Sequence, residues 1–325
     1  MISLSRSPLR ISFIGGGTDF PAFYNKYDGG VISAAIDKYV YVSANKKFDK
    51  KIKLSYSRNE IVEKISDVKH PLIKCILNKY KIKKNIEIVS LADIPSTGTG
   101  LGSSSAFTLS AISSLNKHLN NKILSKSKLA ELACEIELIK NKSPIGIQDQ
   151  YACSYGGFNH ISFSKNKIKI NKIKINDSDL RELEDSLVLV YTNLTRKAND
   201  ILDKHKSKIE KNKNIEFLKE TNNQKNILLE NLNNGNLNYI PTALNTSWTL
   251  KKKFNPSVSN LYIDDLINFG LSNGAKGAKL LGAGKGGFVL FYIDRRKKNK
   301  FISIFKNNQC MELKFDNIGT KVIKF

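Results

Sequence analysis

No part of this chain narrows its possible folds more than Pro95-Ser96-Thr97-Gly98-Thr99-Gly100-Leu101-Gly102-Ser103-Ser104-Ser105-Ala106. Ahead of it, Asn85-Ile86-Glu87-Ile88-Val89-Ser90-Leu91 alternates and is rich in β-branched residues, as in a strand. After it, Leu109, Ile112, Leu115 and Leu119 recur at helical spacing. The glycines therefore occupy a strand-to-helix joint. They let backbone N–H groups face outward without side chains in the way. The helix N-terminus adds unpaired N–H groups and the positive end of its dipole. Such a joint suits an anion, above all a phosphate, and the three serines add hydroxyls for phosphate oxygens or a magnesium ion. The plain structural alternative is a glycine-rich connection with a serine N-cap. The loop is not a Walker A, because no Gly-Lys-Ser/Thr follows the glycines. Nor is it a Rossmann fingerprint, since Ser103 stands where a third glycine belongs after Gly98 and Gly100.

A chain of 325 residues is long enough for two domains, and 41% hydrophobic residues make a packed core possible. No apolar run approaches a membrane span, and the N-terminus lacks signal-peptide architecture. Cys75, Cys134, Cys153 and Cys310 are scattered, and His70, His118, His160 and His205 do not cluster with them. That spacing argues against a zinc site or a disulfide framework and for a reducing cytoplasm. The formal charge of +24 favours anionic ligands. Its lysines are spread through every segment and read as solvated surface. A nucleic-acid-binding module stays open as an alternative, but no aromatic residues interleave the basic runs as a stacking platform needs.

Leu9, Ile11 and Phe13 alternate with Arg10 and Ser12, predicting a half-buried strand that ends at Gly15-Gly16-Gly17. This places Arg10 on a strand edge and Asp19 in a loop, both facing a cleft. Further strands are predicted at 31–36, 39–43, 51–56, 158–163, 167–175 and 187–192, and a short helix at 71–80. Leu129, Leu132, Ala133, Ile136 and Ile139 line one face of a predicted helix over 125–140, which leaves Glu131, Glu135 and Glu137 on what is usually a solvated face. Asp149 stands alone between Pro144 and Gly156-Gly157, as an N-cap or a site residue. Helical patterns dominate from 196 to 271. Gly282, Gly284 and Gly287 match G-x-G-x-x-G, but an apolar strand pattern follows, so a glycine-rich hairpin is predicted there. Strands early and helices plus a hairpin late read as an α/β (α+β) chain, with the change of domain near residue 187.

Three glycine-bearing segments in this order, 8–20, 95–106 and 279–287, with Asp149 between the second and third, resemble the GHMP kinase family over nearly the whole chain. The middle one is similar to the family's Pro-x-x-x-Gly-Leu-Gly-Ser-Ser-Ala, with one extra residue between Pro95 and Gly100. The first resembles the galactokinase segment Gly-Arg-x-Asn-Leu-Ile-Gly-Glu-His-Thr-Asp-Tyr. Arg10, Ile14, Gly15, Thr18 and Asp19 keep it, and Gly16 and Gly17 replace Glu-His. Within the family, 10–20, 146–151 and 191–198 are most similar to the D-glycero-D-manno-heptose 7-phosphate kinases. Those enzymes phosphorylate an anomeric hydroxyl on the way to nucleotide-activated heptose for surface polysaccharide.

The resemblance implies a two-domain fold. An N-terminal ATP-binding domain (1–186) would resemble ribosomal S5 domain 2, and a C-terminal domain (187–325) would be ferredoxin-like. It implies ATP and Mg²⁺ as cofactors, a sugar phosphate as substrate, and no nucleic-acid or membrane partner; it leaves the oligomeric state open. By the same resemblance Pro95, Gly98, Thr99, Gly100, Leu101, Gly102, Ser103, Ser104 and Ser105 hold the nucleotide phosphates. Ser104 and Glu137 hold Mg²⁺, with Glu137 chosen over its neighbour Glu135 because it lies 12 residues before Asp149. Asp149 accepts or orients the proton of the attacking hydroxyl, beside Arg10. Gly16, Gly17, Thr18, Asp19 and Gly284 meet the sugar, and Arg196 and Lys197 its phosphate. Galactokinase- or fucokinase-like chemistry is the alternative within the family.

Overall fold

The structure is a computed structural model that describes residues 2–95, 98–194 and 199–323. Chain order begins with β1 (Ser3–Ile14), α1 (Pro21–Tyr27), β2 (Gly29–Lys46), β3 (Ile52–Ser55), β4 (Asn59–Val62), α2 (Pro71–Lys79) and β5 (Ile86–Ala92). Then follow α3 (Ser103–Asn120), α4 (Lys126–Cys134), α5 (Gln148–Tyr155), β6 (Phe158–Ser164), β7 (Lys167–Lys172) and α6 (Asp177–Asp185). Strands β1 to β7 form one mixed sheet centred on β2. The first half of β2 pairs with β6 and its second half with β5, while β1 runs along its other edge.

The second sheet contains β8 (Leu187–Tyr191), β9 (Gly277–Leu280), β10 (Phe288–Tyr292) and β11 (Cys310–Met311). Between β8 and β9 come α7 (Asn199–Glu210), α8 (Ile215–Asn233), α9 (Ile240–Phe254) and α10 (Leu261–Ser272), and α11 (Lys298–Ser303) precedes β11. The spatial order β11-β8-β10-β9 is antiparallel throughout, a split βαβ arrangement. Both faces of this sheet are covered. Val188, Val190 and Phe291 enter one core, and Leu187, Leu189 and Leu290 enter the core shared with β1 and β2. Covering on both sides explains why 187–190 is uninterruptedly apolar. Helix α9 packs on β9 and on β1, and α8 on β2, so the helices join the two sheets. The closing strand β12 (Lys321–Ile323) returns to pair with β1.

Helix α3 lies on β1 and β2 through small hydroxyl-bearing residues as well as leucines. Ser110 donates to Val40 O at 2.9 Å and shares a hydrogen bond with Ser7 Oγ at 2.8 Å, and Ser114 donates to Ser3 O at 2.9 Å. Leu119, expected on the apolar face, is exposed instead. Small satisfied hydroxyls let the helix approach the strands closely, which a leucine-only stripe would not. The predicted helix over 125–140 divides in the same corrective way. After α4 the turn widens to a π-helix over Glu135–Lys140. This shifts the helical phase, so Ile139 faces solvent and Glu137 is fully buried, against the expectation of a solvated glutamate. No helix among the described residues is long and apolar enough to cross a membrane.

Candidate active site

A cavity of about 850 Å³ opens between the sheets, within the usual size of a small-molecule site. Gly98, Thr99, Gly100, Gly102, Ser103, Ser104 and Ser105 line it together with Arg10, Asp149, Gly16, Gly17 and Asp19. Gly98, Gly100 and Gly102 all have φ between 75° and 79°, so the loop alternates handedness and presents its backbone. Gly102 caps α3 without any side-chain bond to the first turn, leaving those N–H groups to a ligand. Leu101 is buried, and its carbonyl takes the Arg10 N–H at 2.9 Å, which ties the loop to β1. Pro95 is exposed and stands outside the cavity wall.

The third glycine segment is the expected hairpin between β9 and β10, and it docks on the loop. A Cβ on Gly100 would stand 2.6 Å from Leu281 O, and one on Gly282 would stand 2.4 Å from Gly100 Cα. The two glycine segments thus meet backbone to backbone. Gly284, expected to meet the sugar, abuts Val258 and does not line the cavity; from this segment Gly282 and Ala283 do.

Arg10 and Asp149 form a bidentate pair. Nε donates to Oδ1 and Nη2 to Oδ2, each at 2.7 Å, while Nη1 donates to Gly100 O at 2.7 Å. Burial works against the guanidinium charge, but the carboxylate more than offsets it and holds the Arg10 pKa above its ordinary value. Asp149 is not the N-cap of α5, which is Ile147; it sits in the first turn with its side chain 24% exposed to the cavity. Asp19 is 1% exposed. It accepts from Gly17 N at 2.9 Å, Gln148 N at 3.2 Å and Gln148 Nε2 at 3.1 Å. Burial, and then the Asp149 charge, push its carboxyl up despite these donors. Thr18 is fully buried. Its hydroxyl bridges Gly15 O and Gly30 and does not reach the cavity, because the turn consumes it.

Glu137 accepts from Ser104 Oγ and Ser105 Oγ at 2.8 Å each and from Gln150 Nε2 at 2.6 Å. Burial pushes its carboxyl up to about 7; these three donors pull the other way, and the Asp149 charge adds to the rise. Glu135 points outward and pairs with Lys79 at 2.8 Å. No cluster of three or more His, Cys, Asp or Glu side chains that could hold a metal occurs among the described residues. One carboxylate with an adjacent hydroxyl still suits Mg²⁺, which keeps several waters and takes phosphate oxygens. A buried carboxylate with neutral donors and, among the described residues, no cation against it fits that role.

Sequence reasoning missed part of the wall. Ser12, Gln148, Ser247, Lys251 and Lys279 all line the cavity. Ser12 was readable, since residue i+2 on a strand shares the face of Arg10. Gln148 is held through its amide by Asp19, and its Oε1 is buried without a partner. Arg196 and Lys197 lie outside the described residues.

The family description "GHMP kinases N terminal domain" matches residues 66–157, and "GHMP kinases C terminal" matches 228–309. The D-glycero-alpha-D-manno-heptose 7-phosphate kinase of Campylobacter jejuni is 32% identical, over 98% of this chain and 97% of its own. The galactokinase of Pyrococcus furiosus is 28% identical, over 90% of this chain and 89% of its own. The crystal structure of a D-glycero-D-manno-heptose 1-phosphate kinase from Bacteriodes thetaiotaomicron covers 100% of this chain and 99% of its own at a TM-score of 0.81, with 24% identity. It shares the two-domain fold.

Proposed function

The chain belongs to the GHMP kinase family and is an ATP-dependent phosphotransferase acting on a sugar hydroxyl, and from that premise we propose that it phosphorylates the anomeric hydroxyl of D-glycero-D-manno-heptose 7-phosphate. The product is the 1,7-bisphosphate, a precursor of nucleotide-activated heptose. The full-length likeness to the Campylobacter jejuni enzyme carries the choice of sugar. The cavity supports it at Gly16, where a Cβ would meet only Gln148 Nε2, at 3.7 Å. The first glycine segment thus leaves room where a galactokinase places glutamate.

Phosphoryl transfer asks a protein chiefly for positioning and charge neutralisation. The loop from Gly98 to Ser105 and the uncapped start of α3 hold the nucleotide phosphates. The sugar occupies the end lined by Gly16, Gly17, Asp19 and Gln148, and its anomeric hydroxyl meets Asp149. That carboxylate orients the hydroxyl or accepts its proton. Arg10 locks both carboxylate oxygens, and its charge faces the transferring group. Ser104 and Glu137 would hold Mg²⁺, which when bound offsets phosphate charge. On this assignment residues 1–186 form the ATP-binding domain and 187–325 the C-terminal domain, whose last strand β12 returns to the sheet of the first.

An ADP-release assay over heptose 7-phosphate, free heptose, galactose and fucose tests the substrate. The highest kcat/KM is expected for heptose 7-phosphate, with phosphorus NMR placing the new phosphate on the anomeric carbon. A preference for galactose or fucose refutes the heptose assignment in favour of a galactokinase- or fucokinase-like enzyme.

A further inference from the structure

One part of the cavity wall gathers cations and hydroxyls from three elements. Lys279, on β9, is 5% exposed. Its ammonium donates to Phe13 O at 3.0 Å and to Ser247 Oγ at 2.9 Å. An ammonium has three N–H bonds, and the third finds no partner among the described residues. Ser12, next to Phe13, is 8% exposed, and its Oγ is buried without a hydrogen bond. Ser247 and Lys251 stand one turn apart on α9, and Lys251 Nζ donates to the carbonyls of Leu280 and Gly282. All four residues line the cavity. Buried donors without partners are costly in a finished protein, so their presence in a cavity wall points to a ligand that completes them.

We propose that Lys279 and Ser12, with Ser247 and Lys251 beside them, form a seat for the phosphate that the sugar substrate carries. The proposal rests on the sugar-phosphate substrate inferred above. An oxyanion supplies several acceptors to a cluster of N–H and O–H donors. The γ-phosphate of ATP is the other anion in the cavity, and position separates the two. The guanidinium of Arg10 is committed to Asp149 and to the glycine loop. Ser12 and Phe13, the anchor of Lys279, lie two and three residues beyond Arg10 on β1, about 7 and 10 Å along the backbone at strand spacing and towards Gly16 and Gly17. That separation suits a sugar with its reacting hydroxyl at Asp149 and a phosphate on its far carbon. Burial, with the Arg10 charge adding, also draws the Lys279 ammonium down to about 7, so the site gains from an incoming anion.

Calorimetric binding of heptose 7-phosphate and of unphosphorylated heptose, to the wild type and to K279Q, K279R, S12A and R196A, tests the seat. K279Q is expected to weaken heptose 7-phosphate roughly tenfold to hundredfold, the range for a charged hydrogen bond. Free heptose should change by less than about twofold, and K279R should recover part of the loss, on the same scale. S12A should cost the phosphorylated sugar severalfold without burying an unpaired charge, and it carries the test if K279Q does not fold. Equal losses for both sugars would mean that Lys279 only supports the wall. A raised KM for ATP with sugar phosphate unaffected would place Lys279 on the transferring group, and an effect confined to R196A would move the phosphate elsewhere; each result overturns the seat. If the wild type does not bind heptose 7-phosphate, the substrate assignment falls by itself. The seat is then read with inorganic phosphate in the presence of a saturating non-hydrolysable ATP analogue. Phosphate bound by the wild type and lost in K279Q sustains it, and no binding to the wild type overturns it.

Discussion

Glu137→Gln should make the ligand-free protein more stable at alkaline pH while removing its response to magnesium. The carboxyl is fully buried, and its pKa stands near 7 against an ordinary 4.5. A folded-state pKa above the unfolded value means that folding favours the protonated form. The contribution is therefore most favourable below about 4.5, is lost between about 4.5 and 7, and stays lost above that range. At about 1.4 kcal/mol per pH unit, the ionised carboxylate costs the fold about 3 kcal/mol at pH 8. An amide has nearly the same shape and no charge. The Oε1 of Gln150, buried and unpartnered, can accept its new N–H after that side chain flips. Urea denaturation at pH 5.5, 7 and 8.5 reads the difference. The variant should gain on the wild type by about 2 kcal/mol between the lowest and highest pH, because about 1.4 kcal/mol of the penalty is already present at pH 5.5. Adding Mg²⁺ with ADP at pH 8.5 should raise wild-type stability and leave the variant near its nucleotide-only value. A stability difference that does not change with pH refutes the buried-charge argument. An undiminished magnesium response in the variant refutes Glu137 as the metal carboxylate.

Asp149→Asn should retain nucleotide binding and lower turnover by roughly 10²–10⁴-fold, the range for a lost proton acceptor; parallel ADP-binding and ADP-release measurements check it, and wild-type turnover would remove Asp149 from the chemistry. Gly102→Ala should lose about 1–2 kcal/mol of stability from its left-handed backbone. It should also lower kcat, because the new Cβ stands 3.2 Å from Arg10 Cγ and 3.4 Å from Asp149 Oδ2; a stable, fully active variant would show that the pair tolerates displacement. Gly16→Glu should fold normally, since a Cβ has room there, and should raise KM for heptose 7-phosphate by at least about tenfold through lost volume and added negative charge; unchanged kinetics would detach Gly16 from the sugar end.

Much of the site could be read along the chain because its parts are local. The glycine loop, the helix it opens and the strand before it are contiguous, and their conformations follow from glycine freedom and apolar period. The alternation 9–13 put Arg10 and Ser12 on one face, and the uncharged surroundings of Asp149 marked it. Other features were decided by packing between distant segments. Glu137 lay on a face that helical spacing assigned to solvent, and only the packing of the π-helical turn against α3 brings it to Ser104 and Ser105. Thr18 looked like a sugar ligand until the turn that holds Gly15 to Gly30 consumed its hydroxyl. Lys279 sat within an apolar strand with nothing to distinguish it from dozens of surface lysines. Its meaning depends on Phe13 and Ser247, 266 and 32 residues away. Local order reveals a backbone and the ligand class it can cradle. Burial, and with it the charge state and partners of each ionisable group, exists only after the sheets and helices have closed around one cavity.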